Sequence, residues 1–213
     1  MRCDKKDLLL YGVTDRSWLG DRTLAQQVEA SLRGGATMIQ LREKHMDRGS
    51  ILAQALELRE LCGRYGVPLI LNDDAELAQA AGADGVHVGQ SDMEAGRVRA
   101  LLGEDKLIGV SARTVEQALA AQAAWADYLG VGAMFPTGTK QDTRPVSYDT
   151  LKAICAAVDI PVVAIGGIGA GNVAELAGSG IAGVAVVSAL YAQPDVEAAT
   201  RSLRAQVERV VGP

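Results

Sequence analysis

Arg42 and Lys44 stand two residues apart in QLREK (40–44), at the end of an apolar run. Side chains alternate along a strand, so Gln40, Arg42 and Lys44 are expected on one face and Glu43 on the other. Two cations in a partly enclosed space are costly unless an anion compensates them. The alternative is a solvent-facing pair balanced by nearby carboxylates. Asn72-Asp73-Asp74 closes another run, and Gln90-Ser91-Asp92 follows a third. Asp73 and Asp92, with no histidine in the set, offer the all-oxygen ligation that magnesium prefers, with room for water and phosphate oxygens. Asp after a strand is also a common helix N-cap. Asp74, ahead of AELAQAAG, fits that role better than Asp73.

Later in the chain the candidate groups are anion donors. GGIGAGN (166–172) and Val187-Ser188 follow the last two apolar runs. Glycines let backbone N–H groups approach a phosphate, and a short helix terminus adds its positive end. The glycine pattern does not match GxGxxG and sits late in the chain, which argues against dinucleotide binding. Ser111 ends GVS, and PTGTKQDTRP (136–145) supplies a long polar, partly cationic loop with Lys140. Arg113 reads equally as a rim charge or a substrate contact. His87, inside GVHVG, reads as a satisfied lining residue, and Trp18 and Trp125 as packing or surface residues. No Ser–His or Cys–His pair is evident for nucleophilic catalysis. The set is suited to holding two anionic substrates and stabilising a departing diphosphate.

The elements that must position these groups alternate eight times. Strand candidates span 8–15, 38–44, 68–73, 85–89, 107–112, 126–132, 161–167 and 183–189, with amphipathic or alanine-rich helical runs between them. Such alternation argues for parallel pairing with crossover helices. Eight units with near-continuous apolar strands favour an α/β fold of the closed (β/α)8 TIM-barrel type over an open doubly wound sheet. No linker or low-complexity block divides the chain, so residues 1–213 read as one domain. Barrel chemistry belongs at the C-terminal ends of the strands, which is where the polar residues fall.

Composition narrows the partners. The formal charge of −5 is spread without a basic stripe, so no nucleic-acid footprint is present. No signal peptide or membrane-length apolar run is evident. Three separated cysteines without CxxC spacing read as reduced thiols of a cytoplasmic protein, and two histidines make a histidine-based zinc site improbable. The sequence is compatible with a homo-oligomer but does not specify one.

Taken together, LYGVTDR (10–16), QLREK, LNDDAELA (71–78), GVHVGQSD (85–92), GVSART (109–114), GVGAMFPTGTKQDT (130–143), VAIGGI (163–168) and VAVVSAL (184–190) resemble the thiamine-phosphate synthase family along nearly the whole chain. The resemblance implies a magnesium-dependent (β/α)8 transferase. It would join hydroxymethylpyrimidine diphosphate to hydroxyethylthiazole phosphate, giving thiamine phosphate and pyrophosphate. It also implies that the pyrimidine diphosphate meets Gln40, Leu41, Arg42, Glu43, Lys44, Asn72, Ser111 and Lys140, and that Asp73 and Asp92 hold the metal. The thiazole phosphate would meet Thr137, Gly138, Thr139, Gly167, Val187 and Ser188. Arg42, Lys44, Lys140 and Ser111 would be catalytic, and the 136–146 loop would close over both substrates. Arg113 departs from the pattern, since many relatives place a histidine there. Two other readings are a thiazole tautomerase-like paralogue, which has no need of diphosphate equipment, and a non-catalytic phosphate-binding barrel.

Overall fold

The computed structural model describes residues 3–137 and 145–212. Eight parallel strands pair in sequence order and close on themselves. They are β1 Leu10–Val13, β2 Met38–Leu41, β3 Leu69–Asn72, β4 Gly85–Val88, β5 Leu107–Ala112, β6 Tyr128–Gly132, β7 Val162–Ile165 and β8 Gly183–Val186. The ring is shut by β1 on β8, in the register Tyr11 opposite Ala185.

Helices α1 Leu24–Arg33, α2 Arg48–Tyr65, α3 Ala75–Ala81, α4 Ala95–Leu102, α5 Val115–Ala123 and α6 Tyr148–Ala157 follow β1 to β6. Helices α7 Ser188–Tyr191 and α8 Val196–Val211 follow β8. Between β7 and β8 the crossover is only a 3₁₀ turn, Val173–Leu176, which packs against α8. Most helices start at a side-chain cap that satisfies an orphan N–H. Thr23 and Gln26 form a reciprocal capping box on α1, Asp47 caps α2, and Asp74 accepts from Leu77 N on α3. Asp74 is therefore the cap, as its place before AELAQAAG indicates, and Asp73 is a separate group. On α8 the buried stripe Val196, Thr200, Leu203 and Val207 has helical spacing; burying each large apolar side chain of this kind contributes about 2 kcal/mol.

Strand alternation divides the core into two. Outward residues such as Ile39, Leu41, Leu69, Leu71, Val86, Val88, Leu129 and Val131 join the helices in one large cluster. Inward residues Tyr11, Val13, Met38, Ile70, Tyr128, Val163 and Ala185 form a second cluster inside the ring, closed at its foot by Cys3 and Leu8. The inner cluster fills the lower barrel, while the inward positions nearest the C-terminal rim are mostly polar or glycine. The cavity lies there. Burial pushes the Cys3 and Cys62 thiols up to about 12, which keeps both protonated and unreactive at neutral pH.

Candidate active site

At the first corner, Thr14 takes over where the strands stop. β2 ends at Leu41, earlier than the apolar run suggests. Thr14 N–H donates to Gln40 O at 2.9 Å, and Thr14 Oγ1 accepts from Arg42 N–H at 3.0 Å. A buried hydroxyl thus continues the β1–β2 ladder for one step while the chain turns away from the barrel. The expected alternation of faces ends with the strand. Gln40 and Arg42 line an inner chamber, but Arg42, Glu43 and Lys44 all line a wider outer cavity. Leu41 is 2 % exposed and packs with the helix-facing core, so any contact with a ligand there is through its backbone.

The cations of this corner have acidic company. Arg42 Nη1 lies 3.7 Å from Asp15 Oδ2, both side chains being 18 % exposed. Arg16 Nε lies 2.8 Å from Glu43 Oε1, whose side chain is 4 % exposed; the pair is close but not aligned as a hydrogen bond. Burial raises the Glu43 carboxyl, and the charge of Arg16 opposes that rise.

The second corner is acidic. Asp73 follows β3 directly, with φ at 66°, a left-handed conformation that is uncommon outside glycine and concentrates at functional positions. Its N–H donates to His87 O at 2.8 Å, which holds the residue over the end of β4. The Asp73 carboxyl is raised above the usual carboxylate range, by burial first and then by the Asp92 carboxylate beside it. The Lys44 charge and a hydrogen bond from Asn72 pull the other way. Asp92 is turned into this corner by its own loop, since Asp92 Oδ2 accepts from Gly89 N–H at 2.7 Å. Asp73 therefore interacts with Lys44, Asn72 and Asp92, drawn from two corners of the rim.

Below them is the inner chamber, of about 170 Å³, lined by Gln40, Asn72, His87, Ser111 and Arg113 among others. Above it and to one side is the outer cavity of about 770 Å³. Arg42, Thr137, Gly167, Ile168 and Ser188 line both, so the two spaces are continuous. Val187 faces the inner chamber and Ser188 opens α7 at the boundary. Gly169 N–H donates to Asn172 Oδ1 at 2.8 Å, and Asn172 Nδ2 donates to Gly167 O at 2.9 Å. The asparagine of GGIGAGN thereby clips its own loop into shape. Gly138, Thr139 and Lys140 lie outside the described residues.

Several site residues carry no obvious signal in the sequence. Thr14, Asp15 and Arg16 belong to LYGVTDR but act by holding QLREK, 26 or more positions away. Gln27, fully buried on α1, donates to Trp18 O at 2.8 Å and to Tyr191 O at 3.2 Å. It ties the loop after β1 to α7. Trp18 lines that cavity, whereas Trp125 is 70 % exposed. The arrangement offers cations along the outer cavity, an acidic pair that meets them through Lys44, and a largely apolar chamber with a few polar groups on its wall.

Comparison with known proteins identifies the family. A family model described as thiamine monophosphate synthase matches residues 10–190. The thiamine-phosphate synthase of Ruminiclostridium cellulolyticum is 48% identical over 199 residues, covering 93% of this chain and 95% of that protein. That of Chloroflexus aurantiacus is 50% identical over 202 residues, covering 94% and 93%. Among solved structures, a thiamine phosphate pyrophosphorylase from Pyrococcus furiosus superposes with a TM-score of 0.90 at 38% identity, over 98% of this chain and 99% of that one. With the match running through every strand and along both corners of the rim, the chain belongs to the thiamine monophosphate synthase family.

Proposed function

We propose that the cavity carries out its family's reaction by a dissociative transfer at the barrel mouth. The reaction is thiamine phosphate synthesis: the hydroxymethylpyrimidine group moves from its diphosphate to the ring nitrogen of hydroxyethylthiazole phosphate, and pyrophosphate leaves. The pyrimidine occupies the inner chamber, near Gln40, Asn72 and Ser111. Its diphosphate extends to Arg42 and Lys44, with Lys140 as a third cation, and the Leu41 and Glu43 backbone borders it. The thiazole phosphate lies across the boundary of the two spaces, near Thr137, Gly138, Thr139, Gly167, Val187 and Ser188.

The observation that carries this reading is the Asp73–Asp92 pair beside Lys44. Asp73 is partly buried beside the more exposed Asp92, whose charge helps to raise the Asp73 carboxyl, and a divalent cation between them relieves that conflict. An all-oxygen donor pair without histidine suits magnesium. Asp73 and Asp92 would hold it, and when bound it supplies positive charge to the diphosphate oxygens as they gain the electron pair. Arg42 and Lys44 add fixed charge to the same oxygens, the kind of preorganised electrostatic stabilisation that dominates many sites. The methylene carbon left behind shares its positive charge with the electron-rich aminopyrimidine. Residues at the boundary hold the thiazole nitrogen ready to capture it, and the bound substrates displace water from the small chamber.

The thiols support a cytoplasmic setting, and residues 1–213 act as one catalytic unit. The test is pyrophosphate release with both substrates, with and without magnesium. Wild type is expected to need both substrates and the metal, and Lys44→Ala to lose ~10²–10³ in kcat. Full turnover by Lys44→Ala at saturating substrate would remove the assignment.

A further inference from the structure

Five side chains inside the barrel are joined end to end. Gln40 Nε2 donates to Tyr11 Oη at 2.7 Å, and Tyr11 Oη lies 3.0 Å from Tyr128 Oη. Tyr128 Oη lies 3.2 Å from His87 Nδ1, and His87 Nε2 lies 3.0 Å from Ser111 Oγ. Both ends, Gln40 and Ser111, line the inner chamber. The middle is sealed, with Tyr11 1 % and Tyr128 0 % exposed. Burial drives both phenols well above their ordinary range, so each keeps its hydrogen and can donate once.

The strands make room for this chain. A Cβ on Gly109 would overlap both the Tyr128 phenol and the His87 ring, and one on Gly130 would come within 2.9 Å of His87 Cε1. β5 and β6 thus lack side chains where the imidazole and phenol must sit.

Counting hydrogens gives the chain a direction. With Gln40 donating to Tyr11, the Tyr11 hydrogen goes to Tyr128 and the Tyr128 hydrogen to His87 Nδ1. Neutral His87 then carries its proton on Nε2 and donates to Ser111, whose own hydrogen is left for the chamber. Gln40 keeps Oε1 to offer as an acceptor. Turning the amide over reverses every bond, so that Gln40 offers a donor and Ser111 an acceptor. With His87 neutral, any mixture sets two hydrogens or two lone pairs against each other in a buried site, which is costly.

We propose that His87 is a positioning residue whose tautomer couples the Gln40 amide to the Ser111 hydroxyl, so that the chamber presents a matched acceptor and donor to the aminopyrimidine edge. An exocyclic amine donates and a ring nitrogen accepts, which complements that pair. The inference rests on the reading that the pyrimidine diphosphate occupies the inner chamber.

The test is ¹⁵N NMR of the imidazoles in the full chain, with His87→Gln distinguishing His87 from His45. Wild type is expected to show the Nε2–H tautomer at His87. Gln40→Glu, at a pH where its carboxyl is ionised, offers Tyr11 only an acceptor and should move the proton to Nδ1. Adding Tyr128→Phe should abolish that response, with Tyr11→Phe as the alternative cut if Tyr128→Phe does not fold. Tyr128→Phe alone should raise KM for the pyrimidine diphosphate roughly three- to tenfold, leaving KM for the thiazole phosphate within about twofold. An unmoved tautomer in Gln40→Glu, or a switch that survives the cut, overturns the relay, and an unchanged pyrimidine KM overturns its link to substrate. The tautomer readout needs no substrate. A protein that switches as expected yet releases no pyrophosphate supports the relay and defeats the functional reading alone.

Discussion

Gly167 holds φ at 66°, and a Cβ there would come within 2.5 Å of Pro136 O and 2.8 Å of Phe135 O. It is the residue on which the 135–137 segment rests above the proposed thiazole phosphate position. Gly167→Ala should cost about 1–2 kcal/mol through the left-handed backbone and displace Thr137. We expect KM for the thiazole phosphate to rise roughly tenfold or more while the pyrimidine KM changes less, read by steady-state kinetics and a thermal melt. The polar residues that end apolar runs were legible as rim residues, because a strand end in a barrel is also a site position. Asp73 and Asp74 could even be sorted into ligand candidate and cap. What could not be read was long-range partnership. Thr14 supports Arg42, Arg16 faces Glu43, and Tyr11 meets Tyr128 across 117 positions. His87 reads correctly as a satisfied lining residue, yet which groups satisfy it depends on barrel closure.

The feet of the strands show a repeated device. Thr37, Asp84 and Asp127 each stand just before an even-numbered strand. Thr37 Oγ1 accepts from Leu10 N–H at 2.9 Å, Asp84 Oδ2 from Leu69 N–H at 2.8 Å, and Asp127 Oδ2 from Ile108 N–H at 2.8 Å. Each residue's own N–H donates back to the carbonyl of the same partner. At β7 and β8 the matching residue is Ala182, which donates to Val162 O but has no side-chain acceptor to return the bond. Asp127 also meets Arg99 Nη2 at 2.6 Å, with side chains 8 % and 12 % exposed. Asp127→Ala would take the carboxylate from a guanidinium that keeps three carbonyl partners and leave the buried Ile108 N–H without its side-chain acceptor, for an expected loss of about 2 kcal/mol in urea unfolding. Both KM values should stay at wild type, because this rim is opposite the cavity. Element type and order were legible from periodicity, whereas strand ends were not. The run through Lys44 stays apolar enough to read as strand, but Thr14 ends the ladder at Leu41.

At the scale of the molecule, closure was legible because eight alternating units leave no better way to pair parallel strands. The thin β7–β8 crossover was not, since GNVAEL has helical residues and forms only a 3₁₀ turn, Val173–Leu176, before the left-handed Gly178 and Gly180. The reciprocal clamps join β1 to β2, β3 to β4 and β5 to β6, so the first six strands carry an extra tie two by two. A chain cut at Gly66–Val67 leaves every clamp inside one fragment; a cut at Gly34–Gly35 separates Leu10 from Thr37. Co-produced halves from the first cut should associate into a soluble, pyrophosphate-releasing pair, and halves from the second should do so poorly, by co-purification and assay. The barrel would then divide cleanly only at even-numbered seams, which marks where this scaffold tolerates permutation or insertion of foreign sequence.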